Sequence, residues 1–125
     1  MDTPKTILLV EDDVFLRDLL AKKVGLEGFD IISASSGADA FSKCGDVVPS
    51  LVLLDLLLPD MNGLEVLKRF REDERLKDVP VLILSNIDQE ADKIEAKRLG
   101  VEGFMVKSDV LPQEIINKIR EIFSL

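Results

Sequence analysis

Three carboxylates, a hydroxyl and an ammonium stand at the ends of short apolar runs in this chain. Glu11 and Asp12 follow Ile7-Leu8-Leu9-Val10, and Asp55 follows Leu51-Val52-Leu53-Leu54. Ser85 follows Val81-Leu82-Ile83-Leu84, and Lys107 follows Phe104-Met105-Val106. Continuous apolar runs of this length read as parallel strands buried on both faces, and such strands deliver their carboxyl ends to one site. The groups gathered there suit a hard divalent cation and a phosphoryl group, and an aspartate can itself accept the phosphoryl.

Each residue also has a plainer reading. Asp55 interrupts Leu51–Leu58, where a charge costs several kcal/mol unless it is paired or at the sheet's edge; alone, it reads equally well as the start of the turn before Pro59. Glu11-Asp12-Asp13 sets three like charges in a row, which raise one another's pKa unless a cation such as Mg²⁺ neutralises them. Asp13 reads better as a helix N-cap than as a ligand. Ser85 in isolation is an ordinary strand-end hydroxyl, and Lys107 a solvated lysine. Their coincidence at four strand ends favours a shared site.

The elements that position these residues alternate regularly. A first strand is expected over Thr6–Val10, then a helix capped by Asp13, carrying Leu16, Leu19, Leu20 and Val24 and ending at Gly25. A shorter strand, Ile31–Ala34, precedes a brief helix over Gly37–Cys44 with Ser36 as its cap. A third strand covers Leu51–Asp55; Pro59, Asn62 and Gly63 form a loop before a helix lined by Leu64, Leu67 and Phe70. Pro80 introduces the fourth strand, and a sparse apolar face of Ala91, Ile94 and Leu99 marks a fourth helix ending at Gly100. The fifth strand precedes a helix with Pro112 in its first turn and Ile115, Ile116, Ile119 and Phe123 on its apolar face. Five βα units predict a parallel sheet covered on both faces with right-handed crossovers.

A chain of 125 residues forms one domain. Its 24 acidic against 16 basic residues give a net charge of −8, which disfavours nucleic acid as a partner. The single cysteine, Cys44, fits a reducing cytoplasm and reads as a small buried hydrophobe. Met1-Asp2-Thr3-Pro4-Lys5 lacks the basic flank and apolar core of a signal peptide, and no apolar stretch approaches the roughly 20 residues of a membrane helix. The expectation is a cytoplasmic protein with no membrane insertion.

The segments I-L-L-V-E-D-D, L-V-L-L-D-L-L-L-P-D-M-N-G, V-L-I-L-S and G-F-M-V-K together resemble the receiver domain of two-component response regulators, of the single-domain chemotaxis-regulator kind. The second is the most specific, and the resemblance covers essentially the whole chain. It implies a three-layer α/β/α, flavodoxin-like fold whose five-stranded parallel sheet has the order 2-1-3-4-5. It implies a stand-alone receiver over residues 1–125 without an output domain, acting as a regulatory phosphoacceptor rather than an enzyme. By resemblance Asp55 is the phosphoacceptor, and Glu11, Asp12, Asp55 and the backbone carbonyl of Leu57 hold Mg²⁺. Ser85 is the switch hydroxyl, Lys107 the phosphate-pairing lysine and Phe104 the aromatic switch. The implied partners are a histidine kinase or phosphotransfer protein and a downstream protein target, met through helix four, strand five and helix five.

Two positions depart from the family pattern. Ser108 stands where proline in a cis peptide is usual, and a cis non-proline bond costs about 3 kcal/mol, so this loop is expected to differ. Asn86 stands where a small residue is usual, and could crowd or hydrogen-bond the phosphoryl group. Among rival readings, an FMN module is disfavoured because Glu11-Asp12-Asp13 would repel its phosphate. A haloacid-dehalogenase-type phosphatase needs an Asp-x-Asp pair that the order Glu11-Asp12-Asp13-Val14 does not provide. A receiver-like interaction module that is never phosphorylated remains the alternative.

Overall fold

The alternation of apolar and helical patterns folds as five βα units. The computed structural model describes residues 4–125, so the first three residues, read above for a leader signal, lie outside it. The chain runs β1 (Thr6–Val10), α1 (Val14–Gly25), β2 (Asp30–Ala34), α2 (Gly37–Lys43), β3 (Leu51–Leu54), α3 (Gly63–Glu72), β4 (Val81–Ser85), α4 (Glu90–Arg98), β5 (Gly103–Val106) and α5 (Pro112–Ile122), with a short 3-10 turn over Lys107–Asp109. All strand pairs are parallel, in the order β2-β1-β3-β4-β5. The expected three-layer architecture and strand order are therefore present.

Strand geometry decides which helices cover which face. Successive side chains point to opposite sides, so Leu8, Val10, Val52, Leu54 and Ile83 pack with Ala40, Val66, Leu67, Phe70 and Ala96 from α2, α3 and α4. Their neighbours Ile7, Leu9, Leu51, Leu53, Leu82 and Leu84 pack with Leu20 and Val24 of α1 and Ile115, Ile116 and Ile119 of α5. Burying each such side chain is worth about 1.5–3 kcal/mol, which explains why the central strands tolerate no polar residue before their ends. Cys44 is buried against α2's side of the sheet as a free thiol, matching its reading as a small hydrophobe.

The fourth helix corrects the sequence expectation. Ala91 and Ile94 face solvent, Ile94 being 60% exposed, while Ala96 is fully buried. At 100° per residue Leu99 lies on the side of Ala96, three positions before it, and not on that of Ile94. The helix is fastened mainly at its C-terminal end. Arg71 of α3 donates to the carbonyls of Leu99 (2.7 Å) and Gly100 (3.4 Å), and also to those of Val79 (2.8 Å) and Lys77 (3.2 Å).

The loop after β3 is held from several directions. Asp60 accepts from the backbone N–H groups of Gly37 and Ala38, each at 2.9 Å, tying the loop to the start of α2. Asn62 caps α3 by accepting from Leu64 N–H at 2.8 Å, and Gly63 N–H donates to the Leu56 carbonyl at 2.8 Å. A Cβ at Gly63 would overlap the Asp55 carbonyl and the Leu56 Cα, so α3 can begin this close to the strand end only without a side chain there. We expect Gly63→Ala to cost about 1–3 kcal/mol in a urea melt. Gly25→Ala, where a Cβ meets nothing within 4 Å, should be neutral or stabilising by up to about 1 kcal/mol. Equal effects at the two sites would contradict this account of the loop.

Candidate functional site

The strand ends converge as the apolar runs required. Val10 lies opposite Leu54 in the β1–β3 pair, and Asp55 N–H continues the ladder onto the Val10 carbonyl at 3.1 Å. Glu11 N–H does the same onto Ala34 at 3.0 Å, and Ser85 is paired with Val106. The residues that leave these ladders are therefore neighbours across the carboxyl edge of the sheet, at the point where the order turns from β1 to β3.

Glu11, Asp55 and Ser85 are buried, at 2%, 4% and 0% exposure, in a chain with no other buried polar residue among those described. Burial of charge demands partners, and the partners are one another. Lys107 Nζ forms ion pairs with Glu11 and, at 2.6 Å, with Asp55 Oδ2. Ser85 Oγ donates to Asp55 Oδ1 at 2.7 Å, and Leu57 N–H donates to the same oxygen at 3.1 Å. Glu11 Oε2 accepts from Asp13 N–H at 3.1 Å, while Arg17 donates to the Glu11 carbonyl at 3.1 Å. Asp13 caps α1 through Leu16 N–H at 3.0 Å, which is its expected helical role.

The electrostatics differ in one respect from the sequence argument. The Glu11 pKa is raised chiefly by burial, which outweighs the lowering by Lys107 and Asp13 N–H, and the nearby Asp55 charge is the smallest of its causes. Desolvation, more than repulsion along Glu11-Asp12-Asp13, therefore dominates at this residue. Burial also works against the Lys107 ammonium, but its hydrogen bonds to Asp55 and Glu11 prevail and lift its pKa above the ordinary lysine value.

A raised carboxyl pKa lends stability that is full below the ordinary value of 4.5 and is lost as pH rises through the folded-state value. In metal-free protein, Glu11→Gln cannot ionise and should gain melting temperature relative to wild type as pH climbs from 4.5 toward neutrality. A difference between the two that stays constant with pH would contradict the burial argument.

Above these groups lies a cleft of about 390 Å³ lined by Glu11, Asp12, Asp13, Asp55, Leu57, Asn86, Ile87 and Lys107. A groove of similar size between α1 and α5, near Leu26, Leu111 and Ile116, gathers no comparable cluster of ligands. One carboxylate oxygen from each of Glu11, Asp12 and Asp55 lies within 4.8 Å of the others. An all-oxygen set of this kind fits a hard divalent cation such as Mg²⁺, which takes one or two carboxylates and keeps several waters. Leu57 lines the cleft, where its carbonyl belongs to the expected ligand set.

Phe104 stands on β5 opposite Ile83, partly buried against the face covered by α3 and α4, with Lys93 Nζ of α4 5.8 Å from its ring centroid. The two departures noted in the sequence meet each other. Among the described residues no peptide bond is cis, and Lys107–Asp109 form the 3-10 turn. Asn86 Oδ1 accepts from Ser108 N–H at 2.9 Å. Sequence reasoning did not join these two residues. The β4–β5 register, whose last rung is Ser85 and Val106, is what brings them together.

Comparison with known proteins agrees with this geometry. The family model described as the response regulator receiver domain matches residues 7–120. The alkaline phosphatase synthesis transcriptional regulatory protein PhoP of Bacillus subtilis is 34% identical over 118 residues, covering 94% of this chain and 48% of its own length. The chain spans about half the length of the curated relatives it matches. Among solved structures, the non-phosphorylated HemR receiver domain of Leptospira biflexa aligns with a TM-score of 0.89 at 28% identity, covering 97% of this chain and 95% of that one. A CheY-like receiver domain protein of Methanospirillum hungatei shares the fold with a TM-score of 0.91 at 23% identity, over 98% of this chain and 95% of that one. Since the family match takes in every strand end that contributes to the cleft, the chain belongs to the response regulator receiver domain family.

Proposed function

We propose that the cleft is a phosphoacceptor site of a two-component phosphorelay, in which Asp55 accepts a phosphoryl group with the aid of Mg²⁺. The observation that carries this reading is the convergence of Lys107 Nζ and Ser85 Oγ on the Asp55 carboxylate at the floor of the acidic cleft. The phosphoryl donor in this reading is the phosphohistidine of a histidine kinase or phosphotransfer protein.

An Asp55 carboxylate oxygen attacks phosphorus, forming the acyl phosphate as the bond from phosphorus to the donor breaks and its electron pair leaves with the donor. Lys107 offsets charge on the phosphoryl oxygens. A divalent cation held by Glu11, Asp12, Asp55 and the Leu57 carbonyl would supply further positive charge at those oxygens. Ser85 already bonds Asp55 Oδ1, so phosphorylation transfers its hydroxyl from carboxylate to phosphoryl oxygen. That shift unpacks the neighbourhood of Phe104, a bias between two arrangements of α4, β5 and α5. Because Arg71 fastens the C-terminal end of α4, the displacement falls on its N-terminal end.

The acidic chain, of net charge −8, passes the signal by protein contact in the cytoplasm rather than by binding nucleic acid. Among the described residues no helix is long and apolar enough to cross a membrane. Amide exchange tests the reading: beryllofluoride with Mg²⁺ should alter residues 86–99 and 104–108 more than 14–24. A response confined to α1 would overturn the proposed output face.

Leu57 and Ile87 flank the cleft with apolar side chains, neither of which can orient an attacking water. The phosphoryl group should therefore be long-lived. Ile87→Glu or Leu57→Asn should speed its loss about tenfold or more, as read from decay of the phosphorylated species by mass; unchanged decay in both would contradict the argument.

A further inference from the structure

Lys107 serves both buried carboxylates, yet it stands just beyond the last rung of the β4–β5 ladder, Ser85 with Val106. After that rung the chain enters the 3-10 turn over Lys107–Asp109, whose first backbone N–H groups have no partner within the turn. Asn86, the residue that follows Ser85, answers one of them: its Oδ1 accepts from Ser108 N–H at 2.9 Å. Because the donor is a backbone N–H, the atom facing it must be the amide oxygen. The Asn86 side chain thus stands in for a backbone carbonyl and prolongs the β4–β5 pairing by one step beyond the strands. The step joins the two segments that carry the hydroxyl and the ammonium bound to Asp55.

We propose that Asn86 is a positioning residue for Lys107, holding the backbone at 107–108 so that the ammonium meets Asp55 and Glu11 without a search. Its consequence for phosphoryl transfer rests on the function proposed above. An alanine at 86 leaves the Ser108 N–H to water, and the turn drifts from Ser85.

In the unphosphorylated protein, Asn86→Ala should accelerate exchange of the Ser108 amide and shift the Lys107 Nζ resonance in NMR. Asn86→Asp, which keeps an acceptor at the same reach, should leave the Ser108 amide protected. With a small-molecule phosphodonor and Mg²⁺, Asn86→Ala should slow uptake at saturating donor by roughly three- to tenfold, the span of one neutral hydrogen bond. The donor concentration for half-maximal rate should not change, since the residue acts through Lys107. Ser108→Pro removes the donor N–H, so adding Asn86→Ala in that background should have no further effect. Unchanged Ser108 exchange and Lys107 resonance in Asn86→Ala overturn the proposal, as does a full effect of Asn86→Ala in the Ser108→Pro background. Wild-type protein that takes up no phosphoryl group while its Lys107 resonance still depends on Asn86 would overturn the phosphoacceptor reading and support the positioning role. Normal uptake that is indifferent to Asn86 would do the reverse.

Discussion

Asp55→Asn should take up phosphoryl at no more than background, a fall of at least roughly a thousandfold, or about 4 kcal/mol of barrier. The substitution is nearly isosteric, so its expected effect is chemical. An amide oxygen can still accept from Ser85 and Leu57 N–H, the two donors that reach Asp55 Oδ1. The amide nitrogen, however, replaces the oxygen that accepts from Lys107, setting a donor against an ammonium. Lys107 then rests on Glu11, its other ion-pair partner, and the fold keeps a compensated charge in its interior. What is lost is the nucleophile, since an amide has no anionic oxygen to attack phosphorus. Far-ultraviolet circular dichroism should match wild type while radiolabel incorporation vanishes. Uptake at the wild-type rate would remove Asp55 from the mechanism.

Withdrawal of Mg²⁺ should have the next largest effect. The cleft gathers three carboxylates against one ammonium, and a phosphoryl group brings more negative charge to the same place. Two unit charges 4 Å apart interact by about 4 kcal/mol at an effective dielectric of 20. One uncompensated contact of that kind slows transfer by roughly a hundred- to a thousandfold. Initial rates measured in a chelator should show a loss of this order. Asp12 is exposed and is the one member of the trio outside the Lys107 ion pairs. Asp12→Ala should therefore keep the fold while moving the Mg²⁺ concentration for half-maximal rate upward by about tenfold or more. Equal rates with chelator and with Mg²⁺ would contradict the metal's part. A receiver-like module that only binds partners would show neither dependence.

Much of the fold was legible because this sheet is buried on both faces. Runs such as Leu51–Leu54 cannot be amphipathic when both sides are covered, so a strand buried throughout stands out by its lack of alternation, and its end is marked by the first charge. Caps are equally local: Asp13 and Ser36 were readable from residue type and position, and both accept the expected N–H. The orientation of α4 was not readable in this way. With Ala91, Ile94, Ala96 and Leu99 scattered around a charged helix, packing against the sheet decided which side turned inward, and Arg71, distant in sequence, fastened its end.

The candidate site divides along the same line. That Glu11, Asp12, Asp55, Ser85 and Lys107 would share one edge followed from parallel strands alone. Which group neutralises which did not. The sequence pointed to a cation for the acidic cluster, whereas Lys107, which lies 52 residues beyond Asp55 in the chain, already braces both Glu11 and Asp55. The bond from Ser108 to Asn86 was hidden for a related reason, since a side-chain acceptor completing a strand ladder leaves no periodic trace.

The most direct test of the central claim is peptide-resolved mass spectrometry of the wild-type chain after incubation with a small-molecule phosphodonor and Mg²⁺, with a chelator-treated sample beside it. One phosphoryl group per chain is expected, on the peptide that contains Asp55, and almost none in the chelator. A phosphoryl group on another residue, or an unmodified chain under conditions where beryllofluoride also leaves amide exchange unchanged, would contradict it.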